Sequence, residues 1–199
     1  MNKGAVEISN ARQDGSTAAM ECFALMMFSD HYEMRFVDRL SDNEQTIIAG
    51  WGKHLSGVDI YGLRWRDKQH YVLCYIGGHL VAKAGILKHH LVVGGASVCV
   101  GGVGGVVTMP AAQKCGYGTA TMSYTAMQLR DRLKTPFGFL FCRNVLIPFY
   151  ERLGWHRVYD PVKINQPTGS ITCPLPAMFL PCSSLKWPGG AINLNSDPW

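Results

Sequence analysis

The alternation of apolar and polar positions predicts strands along most of the chain after residue 31. Apolar and charged residues alternate over 32–40, a pattern that is typical of a half-buried strand. Gly77-Gly78 has the composition of a two-residue hairpin turn, and Pro110 ends an apolar stretch because proline cannot donate to a β-ladder. Further strands are predicted over 69–76, 79–87, 97–109, 137–142, 156–159 and 177–180.

Helical periodicity separates these strands at three places. Ser41 and Glu44 have the spacing of a capping box, which predicts a helix that ends near Gly52. Apolar side chains recur at helical spacing over 118–133, and a short helix is predicted over 147–153. This order of elements predicts a mixed α/β (α+β) domain built on a central, mostly antiparallel sheet.

Composition limits the organisation and the class of protein. The 199 residues suffice for one domain with a substantial core, and we assign residues 31–199 to it and 1–30 to an N-terminal extension. With 47% hydrophobic and 17% charged residues, a disordered or fibrous chain is excluded. No apolar run approaches the roughly 20 residues of a membrane helix, so we expect a cytoplasmic protein without a membrane partner.

Charge and cysteine placement narrow the ligand class. The net charge of +5 suits a small phosphate-bearing ligand, and no nucleic-acid partner is expected because Lys and Arg do not cluster. No acidic residue occurs between Lys68 and Arg130, a stretch that holds five basic residues. The seven cysteines lack C-x-x-C spacing and the histidines lack ligand spacing, so we predict a reducing compartment and no metal site.

A glycine-punctuated turn leads from the strand over 97–109 into the helix that starts near residue 118. It contains Gln113, Gly116 and Gly118. Such a junction points several backbone N–H groups at one spot, beside the positive end of a helix dipole, where an anion binds. Taken alone, the turn fits a plain connection as well as it fits a phosphate cradle.

Two motifs resemble the signatures of the GNAT N-acetyltransferase superfamily. Gln113-x-x-Gly116-x-Gly118 resembles its pyrophosphate loop, and Tyr150-Glu-Arg-Leu-Gly154-Trp155 resembles the end of its second signature. The resemblance implies the GNAT fold, with a splayed parallel pair of strands at 103–108 and 137–142 flanked by helices, and acetyl-CoA as the acetyl donor. The cofactor-binding residues that it implies are Val106, Val107, Thr108, Gln113, Lys114, Cys115, Gly116, Tyr117, Gly118, Thr119 and Asn144.

The resemblance also implies a mechanism. The acceptor amine attacks directly in its neutral form, so Cys115 and Cys142 are not expected to act as nucleophiles. A backbone N–H near Val106 or Val107 steadies the developing oxyanion, and Tyr150 is the general acid that protonates the departing thiolate. The alternative role for Tyr150 is that of an amphipathic packing residue.

A narrower likeness predicts the acceptor. Trp51-x-x-His54-Leu55-x-Gly57 and the closing Asp197-Pro198-Trp199 resemble aminoglycoside 2'-N-acetyltransferases. This implies acetylation of the 2'-amino group of a small cationic aminoglycoside, a kasugamycin-like one included, and antibiotic resistance. The carboxylate of Trp199 is then a catalytic group that takes up the amine proton, although Gly104 stands where those enzymes carry Glu. Candidate acceptor residues are Asp30, Glu33, Asp38, Trp51, Asp59 and Asp197.

Other interpretations stay open on the sequence. The acceptor is alternatively a protein or metabolite amine, or the domain is a non-catalytic module that binds acyl-CoA. Lys186-Trp187-Pro188-Gly189 also resembles nodulation acyltransferases, which would allow a longer acyl donor. The last residues are alternatively a frayed, functionless terminus. A homodimer is neither required nor excluded.

Overall fold

The structure is a computed structural model that describes residues 32–52 and 57–199. The strands of this part of the chain are β1 (Tyr32–Val37), β2 (His70–Ile76), β3 (His79–Val93), β4 (Ala96–Thr108), β5 (Phe137–Phe141), β6 (His156–Val158), β7 (Val162–Gln166), β8 (Gly169–Thr172), β9 (Ala177–Pro181) and β10 (Ile192–Asn193). Its α-helices are α1 (Asp42–Gly50), α2 (Tyr117–Asp131) and α3 (Ile147–Glu151). The predicted extension, residues 1–30, lies outside the described residues.

These ten strands of the described chain form one sheet. Its order is β6-β9-β5-β4-β3-β10-β7-β8, with β2 paired to β3 and β1 paired to β2. Neighbouring strands are antiparallel except in the pairs β4–β5 and β10–β7, which are parallel. The mixed α/β class with a mostly antiparallel sheet, predicted from the sequence, is confirmed.

Several element boundaries differ from the sequence prediction. β3 extends to Val93 because its pairing with β4 continues as far as Ala96. The pattern does not predict β7, β8 and β10; β8 is exposed along its whole length and β10 has only two residues, so neither shows an apolar alternation. α2 and α3 each end two residues early, since the amides of Leu133 and Leu153 bond to Gln128 and Tyr150 rather than four residues back.

β4 and β5 run parallel but pair over only four positions each, 100–103 with 137–140. Beyond Val103, β4 has one more residue than β3, which makes a β-bulge at which Gly105 adopts a φ of +57°. A bulge bends its strand. The rest of β4, through Thr108, therefore leaves β5, and the sheet opens between the two strands.

Glycines let bulky side chains lie directly against the sheet. A Cβ on Gly101 would collide with Leu129 of α2, and a Cβ on Gly102 would collide with the indole of Trp199. Trp199 is only 2% exposed, and its Nε1 donates to the main-chain oxygen of Phe139 at 3.2 Å. The alternative of a frayed terminus is therefore wrong.

Candidate active site

A cleft of about 570 Å³ lies along the open end of β4. The sequence-predicted residues that line it are Val106, Val107, Thr108, Gln113, Lys114, Gly116, Gly118, Thr119 and Tyr150. Its other lining residues are Arg143, Leu146, Phe149 and Arg152. The cleft thus combines a free strand edge, a glycine-containing loop and three basic side chains. We call it the larger cleft.

The loop before α2 presents backbone amides at this place. Lys114 and Gly116 have φ angles of +65° and +87°, which turn the main chain sharply before the helix begins. Gly116 caps α2 without a side-chain hydrogen bond, so the first amides of the helix have no side-chain partner. Gln113 Nε2 donates to the main-chain oxygen of Thr108 at 3.2 Å and holds the loop on β4. Free amides at the positive end of a helix favour an anion.

A smaller cleft, of about 230 Å³, lies where β4 and β5 separate. Its lining residues are Val58, Asp59, Trp65, Lys68, Val103, Gly104, Gly105, Val106, Phe141, Cys142, Arg143, Leu146, Tyr150 and Trp199. The residues that line both clefts are Val106, Arg143, Leu146 and Tyr150. The two clefts therefore adjoin, and a group bound in one can reach a group bound in the other.

Tyr150 stands at the junction of the two clefts. Its side chain is 5% exposed and packs edge-on against Phe149 and Trp155, at ring-centroid distances of 5.0 and 6.1 Å. Burial raises the pKa of the Tyr150 phenol above its ordinary value, and the neighbouring Cys142 adds to this effect. The phenol is therefore protonated throughout the neutral range and can donate a proton.

The main-chain carbonyl of Trp199 takes the place of a side chain at position 104. A Cβ on Gly104 would lie 2.6 Å from the main-chain oxygen of Trp199 and 3.1 Å from Cε of Lys68. Only glycine fits at this position without a shift. The Trp199 oxygen thus lies at the β4 position where the narrower resemblance expects Glu.

Lys68 lies in the smaller cleft with its charged end largely buried. Its aliphatic part covers Gly85 and Gly104, and its Nζ donates to the main-chain oxygen of Arg66 at 2.9 Å. Burial and then the neighbouring Lys83 lower the pKa of Lys68 to about 8, with Asp67 opposing and Arg66 adding to the change. The folded protein therefore holds this proton less tightly than the unfolded chain does.

The stability of the protein should depend on pH through Lys68. Between the folded pKa of about 8 and the ordinary 10.5, the unfolded chain binds more protons, so this residue adds stability as the pH rises. We expect the free energy of unfolding of the wild type to rise relative to that of Lys68→Met between about pH 7 and pH 9, as measured by urea unfolding. Lys186→Met, at an exposed position, is the control. Parallel pH profiles for wild type and Lys68→Met would contradict the prediction.

Three of the predicted cofactor residues lie outside the larger cleft. Cys115 and Tyr117 instead line a separate surface depression beside β1, together with Tyr32 and Met34. Asn144 is exposed at the start of a 3₁₀ turn. These three side chains sit next to cleft residues in the sequence, but the structure does not place them on the cleft wall.

Most of the predicted acceptor residues are not brought together. Three carboxylates form ion pairs away from the clefts: Glu33 with Arg35 at 2.6 Å, Asp38 with His70 at 3.0 Å and Asp197 with Arg64 at 2.7 Å. Trp51 packs in the core against Leu73 and Leu80. Asp30 lies outside the described residues. Of this set, the structure places Asp59 in the smaller cleft, opposite the predicted catalytic Trp199.

Sequence reasoning predicts Lys114 but misses the other basic residues of the clefts, Lys68, Arg143 and Arg152. Arg152 lies inside the second signature and Arg143 directly precedes it, so the motif itself could have indicated both. Lys68 carries no such signal, because it reaches the cleft only through the pairing of β3 with β4 and the path of the segment before β2.

Three further features of the described residues bear on other kinds of function: the cysteine of the smaller cleft, the metal-ligating side chains and the length of the helices. Cys142 lines the smaller cleft, but burial raises its pKa to about 11, so it stays a thiol at neutral pH and does not act as a nucleophile there. Within residues 32–52 and 57–199, no group of three or more His, Cys, Asp or Glu side chains is placed to hold a metal ion. In the same part of the chain, no helix is both long and apolar enough to cross a bilayer.

A family model and several solved structures resemble this chain. Residues 63–158 match the family model described as an acetyltransferase (GNAT) domain, whereas no curated protein matches the chain. The solved GNAT family N-acetyltransferase YhbS from Escherichia coli, in complex with CoA, is similar with a TM-score of 0.55 at 10% identity, covering 82% of this chain and 89% of that one. A GNAT family acetyltransferase from Brucella melitensis, in complex with acetyl-CoA, has a TM-score of 0.50 at 15% identity, covering 81% and 96%.

The length of the match varies among the solved structures. The chain spans 34% of a GCN5-related N-acetyltransferase from Kribbella flavida, with 63% of this chain covered, 21% identity and a TM-score of 0.45. At identities this low, the structural likenesses bear on the fold and not on the substrate.

Proposed function

We propose that the protein is an acetyl-CoA-dependent N-acetyltransferase for a small-molecule amine, because residues 63–158 match a family model for a GNAT acetyltransferase domain and the chain shares the fold of a solved GNAT acetyltransferase. The observation that carries the proposal is the junction of the two clefts at Tyr150. One cleft holds the loop suited to a phosphate, and the other offers a small enclosed space for an acceptor.

The larger cleft fits acetyl-CoA by its chemistry and its size. The amides before and within the first turn of α2 suit the diphosphate, and Lys114 and Arg152 add positive charge. The volume of about 570 Å³ lies within the roughly 300–1,000 Å³ of ordinary ligand pockets. When bound there, acetyl-CoA supplies an activated acyl group as a thioester.

The residues of the chain then have distinct tasks at the junction. A main-chain N–H at Val106 or Val107 stabilises the negative charge that develops on the thioester oxygen. The amine nitrogen bonds to the carbonyl carbon as the C–S bond breaks, and Tyr150 gives its proton to the departing sulfur. The nitrogen loses its surplus proton to water or to the carboxylate of Trp199, and solvent reprotonates Tyr150.

Calorimetry with CoA and a thiol-release assay with acetyl-CoA and a panel of amines test this proposal. The expected result is heat on addition of CoA, together with amine-dependent release of free CoA thiol. Binding without thiol release on any amine would favour the non-catalytic acyl-CoA module. An absence of binding heat would overturn the proposal.

Gly118→Val should weaken cofactor binding. Gly118 lines the larger cleft in the first turn of α2, and its φ is not in the left-handed region, so the helix backbone permits a side chain there, whose Cβ would lie 3.3 Å from Oγ1 of Thr108. The branched side chain would occupy space at the loop where we expect the diphosphate of CoA to bind. A charge-assisted hydrogen bond from a loop amide to the diphosphate would then be lost, so the Kd for CoA should rise by about tenfold or more. Ser123→Val, at an exposed position of the same helix, is the matched control for calorimetry. Equal Kd values for the two variants would contradict the prediction.

A second candidate acceptor, implied by the narrower resemblance, is an aminoglycoside. The observation that supports it is the position of Trp199, whose main-chain oxygen lies in the smaller cleft at Gly104. Among the described residues, however, only one acidic side chain, Asp59, lines that cleft, beside two basic ones. Thiol release with kasugamycin and other aminoglycosides tests this acceptor directly.

A further inference from the structure

Arg143 has an unused hydrogen-bonding group beside the acceptor space. It follows β5 and lines both clefts. Its Nε is buried and has no hydrogen-bond partner, and no ion pair engages its side chain within the described residues. A buried donor without a partner is costly, so a ligand that accepts from it would bind with a gain. Nothing in the proposed acetyl transfer itself uses this guanidinium.

Two further basic side chains lie near Arg143. The guanidinium itself packs closely on Gly57, where a Cβ would come within 2.7 Å of Nη1. On the β4 side of the same cleft, Lys68 adds a second positive charge, and Nζ of Lys83 lies 3.4 Å from where a Cβ on Gly105 would be. Positive charge therefore surrounds the open end of β4.

Oxygen atoms with full or partial negative charge line the same small space. Asp59 lies in its wall, and the main-chain oxygen of Trp199 lies against Gly104. A polycation needs several carboxylates and no competing cations, whereas this cleft presents both signs of charge. Its volume of about 230 Å³ is below the roughly 300–1,000 Å³ of pockets for drug-sized ligands, which favours a small acceptor.

We propose that the acceptor is a small amine that also carries a carboxylate, as an amino acid does, and that Arg143 binds this carboxylate while the amine faces Tyr150. The proposal rests on the proposed acetyl transfer and names its acceptor class. The planar guanidinium matches a carboxylate in two parallel hydrogen bonds. The main-chain oxygen of Trp199 at Gly104 can accept a hydrogen bond from the amine, so that the two ends of the acceptor fix its orientation.

The test compares amino acids with their own methyl esters in the thiol-release assay. The ester keeps the amine and removes the negative charge, but it also lowers the pKa of the amine. Recognition of the carboxylate is therefore measured by the change between variants in the ratio of kcat/KM for acid over ester. Arg143→Met should lower this ratio from its wild-type value by about tenfold or more. Arg143→Lys keeps the charge but loses the planar fork, and it should lie between the two. Arg152→Met, which lines only the larger cleft, is the control and should keep the wild-type ratio.

The outcomes separate the two proposals. An unchanged ratio in Arg143→Met, or acetylation of aminoglycosides but of no amino acid, overturns the acidic acceptor and leaves acetyl transfer standing. A lack of CoA binding heat overturns both. Because each ratio is taken within one protein preparation, partial misfolding of a variant lowers both rates and leaves the readout intact.

Discussion

Replacing Tyr150 by phenylalanine should lower kcat by about 100-fold or more while the Kd for CoA stays close to that of the wild type. In the proposed mechanism the phenol donates the proton at the junction of the clefts, and burial keeps its pKa raised, so it is protonated at neutral pH. Without it, the thiolate must leave unprotonated or wait for water. Packing should survive, because the ring contacts with Phe149 and Trp155 do not need the hydroxyl. Steady-state thiol release and calorimetry give the two readouts.

Tyr159→Phe is the matched control for this experiment. It removes the same hydroxyl from a residue that is 85% exposed and lines neither cleft. A kcat of Tyr150→Phe within about twofold of the control would remove Tyr150 from the mechanism. The residue would then be a packing side chain, the alternative that the sequence left open.

Replacing Trp199 by alanine should lower the free energy of unfolding by about 3–5 kcal/mol. The indole is 2% exposed, lies against Gly102 and donates its N–H to Phe139 at 3.2 Å. Removal leaves a cavity on the sheet and breaks the hydrogen bond to Phe139, since glycine at 102 has no side chain to fill the space. Urea unfolding measures the change.

Leu185→Ala controls for the general cost of losing an apolar side chain near the end of the chain. Leu185 is 62% exposed, so its loss should change the free energy of unfolding by less than about 0.5 kcal/mol. A change below about 1 kcal/mol for Trp199→Ala would show that the indole does not hold the sheet. The same variant also removes packing beneath the smaller cleft, so its acceptor KM should rise together with its loss of stability.

The glycines of β4 show why single positions were harder to predict than elements. Gly104 was expected to weaken the case for a base, because it stands where a narrower group of enzymes carries Glu. The structure shows that a side chain there would meet the main-chain oxygen of Trp199 at 2.6 Å. The sequence shows Gly104 where those enzymes carry Glu, and it shows Trp199 far away along the chain. Only the folded chain brings these two residues together.

Most of the predicted acceptor residues do not line the clefts, for a related reason. Glu33, Asp38 and Asp197 were candidates because they are acidic and lie on segments expected near the acceptor, but each pairs with a local base instead. Charge and position along the chain do not reveal which neighbour a side chain meets. Lys68 shows the converse, because it reaches the smaller cleft without any motif around it.

Local pattern by itself determined most of the strands, the three α-helices of the described chain and the loop from Gln113 to Gly118, because alternation, capping and glycine placement act over a few residues. It also determined the likeness to the GNAT superfamily, whose signatures are equally short. Tertiary structure alone decided where β4 and β5 part, that Trp199 fills the place of a side chain at Gly104, and that Arg143 lies with an unpartnered Nε beside the acceptor space. Those facts depend on contacts between residues far apart in the sequence, and the geometry of such contacts is set by packing of the whole sheet.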